Sequence, residues 1–213
     1  MSTAPSTASC AHGSGTHALI PLKHPSVGKT RLSAALAAPL RARLSATMLR
    51  DVVERVQATA RIAQVHVLTR DSVDVPAGCR HLADPGLELN QALATAARAL
   101  RASGARSLLV LAADIPFATA EELGAVVAAA APGVLVAAPD WRGHGTNGLL
   151  WDLSDPVTPC FGAGSLAAHE RMAASAGLAF TPIVRPGLAL DIDEPAQLRT
   201  LARHGGPSYA FLL

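Results

Sequence analysis

Ser107-Leu108-Leu109-Val110-Leu111-Ala112-Ala113 is apolar at every position after its first residue, and its reading decides the fold. A strand with one wet face alternates apolar and polar side chains; one that is apolar at consecutive positions is covered on both faces, as central strands of parallel sheets are. Downstream, Thr119 and Glu122 form a Thr-x-x-Glu capping box that opens a helix running to Ala131. A strand at 134–138 follows. Upstream, residues 89–103 read as a helix closed by Gly104, preceded by strands at 18–22 and 65–69. Residues 32–60 have helical composition and divide into two helices near Pro39; Pro76, Gly78 and Pro85 mark a loop. Further on come a strand at 148–151, a helix at 163–176, strands at 180–184 and 188–192, and a last helix at 194–202. Strands alternating with helices predict an open, mostly parallel α/β sheet. Ligands in such sheets sit outside the carboxyl ends of the strands.

At 213 residues the length suits one domain with a sizeable core, and 50% hydrophobic content excludes a mostly disordered chain. Residues 1–17, rich in Ser, Thr, Ala and Gly, read as a flexible tail with neither the basic nor the apolar region of a signal peptide; the domain is expected over 18–213. No apolar run reaches the roughly 20 residues that span a bilayer, which speaks against membrane insertion. Net charge is +2 without basic blocks, and aromatics are 3%, a poor composition for a nucleic-acid binder. Cys10, Cys79 and Cys160 are odd in number and far apart, as free thiols in a reducing, cytoplasmic compartment would be.

Four segments carry chemistry. Lys23, Lys29 and Arg31 lie on one loop between the first strand and first helix. Gly28-Lys29-Thr30 is not a Walker motif, because Lys23 stands where that motif needs glycine and Pro25 lacks an N–H donor. The three cations suit a triphosphate at a strand end. Asp114 follows the central strand, where it reads as a ligand-facing carboxylate or as a turn former. Asp191 and Asp193, two apart in an expected strand, share a face, so that both can meet one cation; Asp193 equally suits a helix cap. Three carboxylates from two strand ends fit Mg²⁺, a hard ion that completes its shell with water and phosphate oxygens. The Gly143–Gly148 stretch and Phe161-Gly162-Ala163-Gly164-Ser165, with His169 a turn later, read as an anion cradle or as an ordinary glycine-rich turn with a serine cap. Asn90 either reads a base or ribose, or starts a helix.

These segments, in this order, resemble the guanylyltransferases that make the phospho-acid precursor of the deazaflavin coenzyme F-420. The motifs are Pro21-x-Lys23 with Lys29-Thr30-Arg31-Leu32, Ala113-Asp114-Ile115-Pro116, Gly145-Thr146-Asn147, Phe161-Gly162-x-Gly164-Ser165 with His169, and Asp191-Ile192-Asp193. The resemblance implies a single-domain, Rossmann-like nucleotidyltransferase fold of the GT-A type, GTP as substrate, and Mg²⁺ or Mn²⁺. By similarity Thr146, Gly162 and Ser165 contact the phospho-acid, Asp114, Asp191 and Asp193 hold the metal, and Lys23, Lys29 and Arg31 hold the GTP phosphates. Family acceptors are 2-phospho-L-lactate, phosphoenolpyruvate and 3-phospho-D-glycerate, and a downstream transferase takes the GDP-linked acid onward. Two departures stand out. His144 replaces the usual small or hydroxyl residue, and the stretch from Gly86 to Asn90 is about two residues longer. His144 either donates to the extra oxygen of a longer acid, favouring 3-phospho-D-glycerate, or lies on the loop surface. A phosphate oxygen of the acceptor is expected to attack the α-phosphorus of GTP without a general base. A sugar-nucleotide-using transferase and a non-catalytic nucleotide-binding module are the rival classes.

Overall fold

Ala18, Leu19 and Ile20 have no exposed surface, because β1 (Thr16–Pro21) is flanked in parallel by β2 (Ile62–Thr69) and β4 (Ser107–Leu111) and covered on both faces. The computed structural model describes residues 15–22, 32–70 and 75–213. Lys23, Lys29, Arg31 and Cys10 lie outside the described residues. The other strands are β3 (Cys79–Ala83), β5 (Val134–Pro139), β6 (Thr146–Asp152) and β7 (Ala179–Pro182). The seven strands form one sheet in the order β3-β2-β1-β4-β6-β5-β7, parallel throughout except β6, which runs antiparallel to β4 and β5. This is the expected α/β fold.

Strand residues alternate between two apolar layers, as a period of two requires. Leu109 and Leu111 of β4 join α1 (Ala38–Gln57), α3 (Ala120–Ala128) and Leu188 on one face. Leu108 and Val110 join α2 (Leu89–Ala102) and α4 (Ser165–Ser175) on the other. A third cluster forms at the edge. There Leu44 and Met48 of α1, Leu198 and Leu201 of α6 (Pro195–His204), and Tyr209 of a terminal 3₁₀ segment (Pro207–Leu212) enclose Leu32 and Ile192. The sole tyrosine is 1% exposed there. Burial and the neighbouring Asp51 raise its pKa.

The capping box is as expected: Glu122 N donates to Thr119 Oγ1 at 3.2 Å, and Thr119 N to Glu122 Oε2 at 3.1 Å. The other Glu122 oxygen accepts from Gly187 N at 2.8 Å, which ties α3 to a short helix, α5 (Pro186–Ala189). A Cβ on Gly187 would collide with Phe117 backbone and Glu122, so the close approach requires glycine.

Several boundaries differ from expectation. The first strand begins at Thr16, and Thr16 Oγ1 pairs with Ser107 Oγ at 2.9 Å, so Thr16 and His17 belong to the sheet and not to the tail. Among the described residues of the 32–60 stretch one α-helix, Ala38–Gln57, stands in place of the expected two; Pro39 sits in its first turn, where its missing N–H has no helical partner to lose. β3 escapes the sequence because it is an edge strand with exposed Arg80 and His81 and no apolar run. The expected strand at 188–192 is instead α5 followed by extended chain. Among the described residues no helix is long and apolar enough to cross a membrane.

His66, 3% exposed on β2, pairs its Nε2 with His17 Nδ1 at 3.1 Å, and the rings stack. Burial, then His17 and Arg80, push the His66 pKa down to about 4; burial and Arg80 lower that of His17. In the unfolded chain imidazole takes up a proton near pH 6.5. The folded state therefore binds fewer protons between about pH 4 and 6.5, and stability falls as pH drops through that window. The urea midpoint is expected to be steady above pH 7 and to decline below about 6.5. His66 would contribute a slope of up to about 1.4 kcal/mol per pH unit. A midpoint unchanged between pH 7 and 4.5 would show that these rings are not held neutral.

Candidate active site

The carboxyl ends of β4 and β5 and the opening of antiparallel β6 meet on one edge of the sheet, because Gly148 of β6 is paired with Leu111 and Thr146 with Pro139. A cavity of about 540 Å³ opens there, lined by Thr146, Asn147, Gly162, Ser165, Asp191 and Asp193 among others. The strand-end rule thus leads to this cavity as the candidate site.

Two carboxylate segments distant in sequence are stitched together by main chain. Ile192 N donates to the Asp114 carbonyl at 2.9 Å. Asn147, 7% exposed, braces the same seam: its Nδ2 donates to the carbonyls of Leu188 and Ala189 at 3.0 and 3.2 Å, and its own carbonyl accepts from Ala112 N at 2.8 Å. Those side-chain bonds hold α5 and the chain after it in place of a sheet ladder. The i, i+2 logic survives without a strand. Ile192 is fully buried in the third cluster, and Asp191 and Asp193 on either side of it line the cavity. Asp193 is not the helix cap. The N-cap position is Glu194, and Gln197 Oε1 accepts from Asp193 N and Glu194 N at 3.0 and 2.6 Å.

The donor set offered to a cation is all oxygen, as a hard divalent ion prefers. Asp114 is not on the cavity wall, and among the described residues no group of three His, Cys, Asp or Glu side chains is arranged to hold a metal. The fold therefore brings the Asp114 and Asp191–Asp193 segments side by side through the backbone, and it places two of the three carboxylates on the wall.

Opposite chemistry comes from the turn into α4. Gly162 and Gly164 have φ of 137° and 68°, which L side chains rarely adopt. Gly164, not Ser165, occupies the N-cap, and Ser165 is the first helical residue, 2% exposed. The helix N-terminus thus opens on the cavity, where anions are favoured. Thr146 Oγ1 lies 3.0 Å from His169 Nδ1, and His169 Nε2 accepts from Cys160 N at 2.9 Å. His169 is fully buried, and burial lowers its pKa to about 4.

Asn90 takes a different role from the one expected. It is not the cap, since Glu88 holds the N-cap position, and the Asn90 amide clasps Phe161 by accepting from its N at 2.8 Å and donating to its carbonyl at 2.9 Å. His144 is exposed. Its backbone is committed, N to Asp140 Oδ1 at 2.8 Å and carbonyl from Leu166 N at 3.1 Å, and its ring makes no hydrogen bond among the described residues. Asn147 is a positioning residue that sequence reasoning passed over, and Asn90 is one whose clasp on Phe161 it did not foresee. Each stood in a quoted motif, but only the fold supplies its partner.

The family described as guanylyl transferase CofC-like matches residues 16–212. The phosphoenolpyruvate guanylyltransferase of Sphaerobacter thermophilus is 36% identical over 193 residues, covering 89% of this chain and 93% of that protein. The enzyme of the same name from Chloroflexus aggregans is 34% identical, over 84% and 93%. Among solved structures, a nucleotidyl transferase from Methanothermobacter has the same fold, with a TM-score of 0.67 at 16% identity, over 91% of this chain and 98% of that one. With its sheet order, its strand-end cavity and a match along nearly its whole length, the protein belongs to the CofC-like guanylyltransferase family and is a nucleotidyltransferase.

Proposed function

We propose that the protein transfers GMP from GTP to phosphoenolpyruvate, releasing pyrophosphate, in coenzyme F-420 biosynthesis. The observation that carries this reading is one cavity with an anion cradle, Thr146 and Gly162 to Ser165, on one side and Asp191 and Asp193 on another. Phosphoenolpyruvate is chosen over 3-phospho-D-glycerate because the relatives above bear its name. The lean toward the longer acid rested on His144, which borders the cavity but is exposed, its ring making no hydrogen bond among the described residues. A downstream transferase would consume the GDP-linked product.

In this reading Lys23, Lys29 and Arg31 hold the GTP phosphates, and Thr146, Gly162 and Ser165 hold the acceptor phosphate. Asp191 and Asp193, with Asp114 beside them, would hold Mg²⁺ or Mn²⁺, which supplies charge neutralisation on the triphosphate. An acceptor phosphate oxygen bonds to the α-phosphorus as the bond to the pyrophosphate oxygen breaks. The acceptor phosphate is already ionised near neutral pH, so no base is required. His169, whose Nδ1 lies 3.0 Å from Thr146 Oγ1 of the cradle, agrees with that, because both its ring nitrogens are engaged inside the protein. Rate enhancement then comes from positioning and electrostatics.

Pyrophosphate release from GTP, measured with each of the three acids with and without Mg²⁺, is expected only with metal and fastest with phosphoenolpyruvate. No release with any acid would end the proposal, and a sugar-nucleotide-using transferase would release no pyrophosphate. Asp191→Asn and Asp193→Asn should each lower kcat/KM by about a hundredfold, roughly 3 kcal/mol of transition-state stabilisation, with little change in melting temperature. Near-normal turnover in either variant would remove that residue from the metal site. Asn147→Ala should cost about 1–3 kcal/mol in stability through the orphaned Leu188 and Ala189 carbonyls, and lower turnover by loosening the Asp191–Asp193 segment; stability and turnover both at wild-type levels would refute that bracing role.

A further inference from the structure

We infer that His169 is a positioning residue that fixes the Thr146 hydroxyl as a hydrogen-bond donor to the acceptor's phosphate. The inference rests on the proposed acceptor pocket and goes beyond it, since His169 lines no part of the cavity.

The tautomer follows from partners alone. Cys160 N–H donates to His169 Nε2 at 2.9 Å, so that nitrogen is bare. A neutral imidazole then carries its hydrogen on Nδ1, which donates to Thr146 Oγ1 at 3.0 Å. A hydroxyl has one hydrogen and two lone pairs. With a lone pair committed to His169, its hydrogen is left for a group outside this chain of bonds. A phosphate oxygen only accepts, so a hydroxyl set in that sense is matched to it, whereas an unconstrained rotor also presents lone pairs to the anion.

Packing holds the ring in this state. His169 is fully buried and meets the Phe161 ring edge-on, with centroids 4.9 Å apart. Phe161 is itself clasped at both main-chain atoms by Asn90 of α2. A second ring proton would bring Nε2–H against Cys160 N–H, donor to donor. A line of support therefore runs from α2 through Asn90, Phe161 and His169 to one hydroxyl on the cavity wall.

The test is a double-mutant cycle read in the KM for phosphoenolpyruvate and for GTP. Thr146→Val should raise the acceptor KM roughly tenfold, the scale of a hydrogen bond to a charged group, and Thr146→Ser should retain most of the affinity. His169→Leu should do the same with GTP KM unchanged, and should add nothing in the Thr146→Val background. His169→Asn, which carries an N–H close to the Nδ1 position, should recover most of the loss. Additive effects, or no rescue by asparagine, would mean that His169 merely supports the fold and would overturn the inference. Should Thr146→Val leave the acceptor KM unchanged, the acceptor pocket itself is misplaced. Imidazole ¹⁵N shifts of the wild-type protein give a check that needs no variant: they should report His169 protonated at Nδ1, and an Nε2–H ring would overturn the assignment.

Discussion

One buried amide, that of Asn147, sets the geometry on which the cavity depends. It stands at the mouth of the antiparallel strand β6; its Nδ2 reaches α5, and the main-chain carbonyl of the same residue accepts from Ala112 N just beyond β4. A buried polar group is costly unless paired, so each partner must be in register before the site can close. The hydrogen bond from Ile192 N to the Asp114 carbonyl continues the same seam. Acidic segments far apart in sequence are thereby adjacent.

Apolar packing turns that seam into a rigid wall. Ile192 is driven into the third cluster, between α1, α6 and the terminal 3₁₀ segment, and the carboxylates on either side of it are left on the cavity wall. Gln197 satisfies the amides of Asp193 and Glu194 from inside α6. Across the mouth, Arg142 Nη2 contacts both Glu194 oxygens at 2.8 and 2.9 Å and links the loop after β5 to the acidic segment. That pair is half-exposed and adds little stability; its consequence is the spacing of the two lips.

The same economy serves the opposite side of the cavity. The glycines at 162 and 164 let the chain reverse into α4 in backbone states that other residues rarely adopt. Asn90, remote from the cradle in sequence, and His169, one turn into α4, lock that reversal from behind. A site that works by positioning charge needs rigid donors more than reactive ones, and here polar side chains are spent on holding loops.

By itself the sequence determined the layered α/β architecture, since strands covered on both faces and amphipathic helices admit few other arrangements, and it marked the segments that carry charge. The Thr119–Glu122 cap, the apolar β4 strand and the Gly162–Ser165 turn are local signals, and all three were legible. The edge strand β3 was not, because its burial is partial and comes from a neighbour; nor was the helix-then-loop at 186–194, whose apolar residues suit a strand until Asn147 captures its carbonyls. Only the tertiary structure decided that Asn90 and His169 hold loops and that Asp114 meets the Asp191–Asp193 segment through its backbone. Those are pairings across long stretches of chain, and a hydrogen-bond partner is a fact of space that residue type alone does not specify.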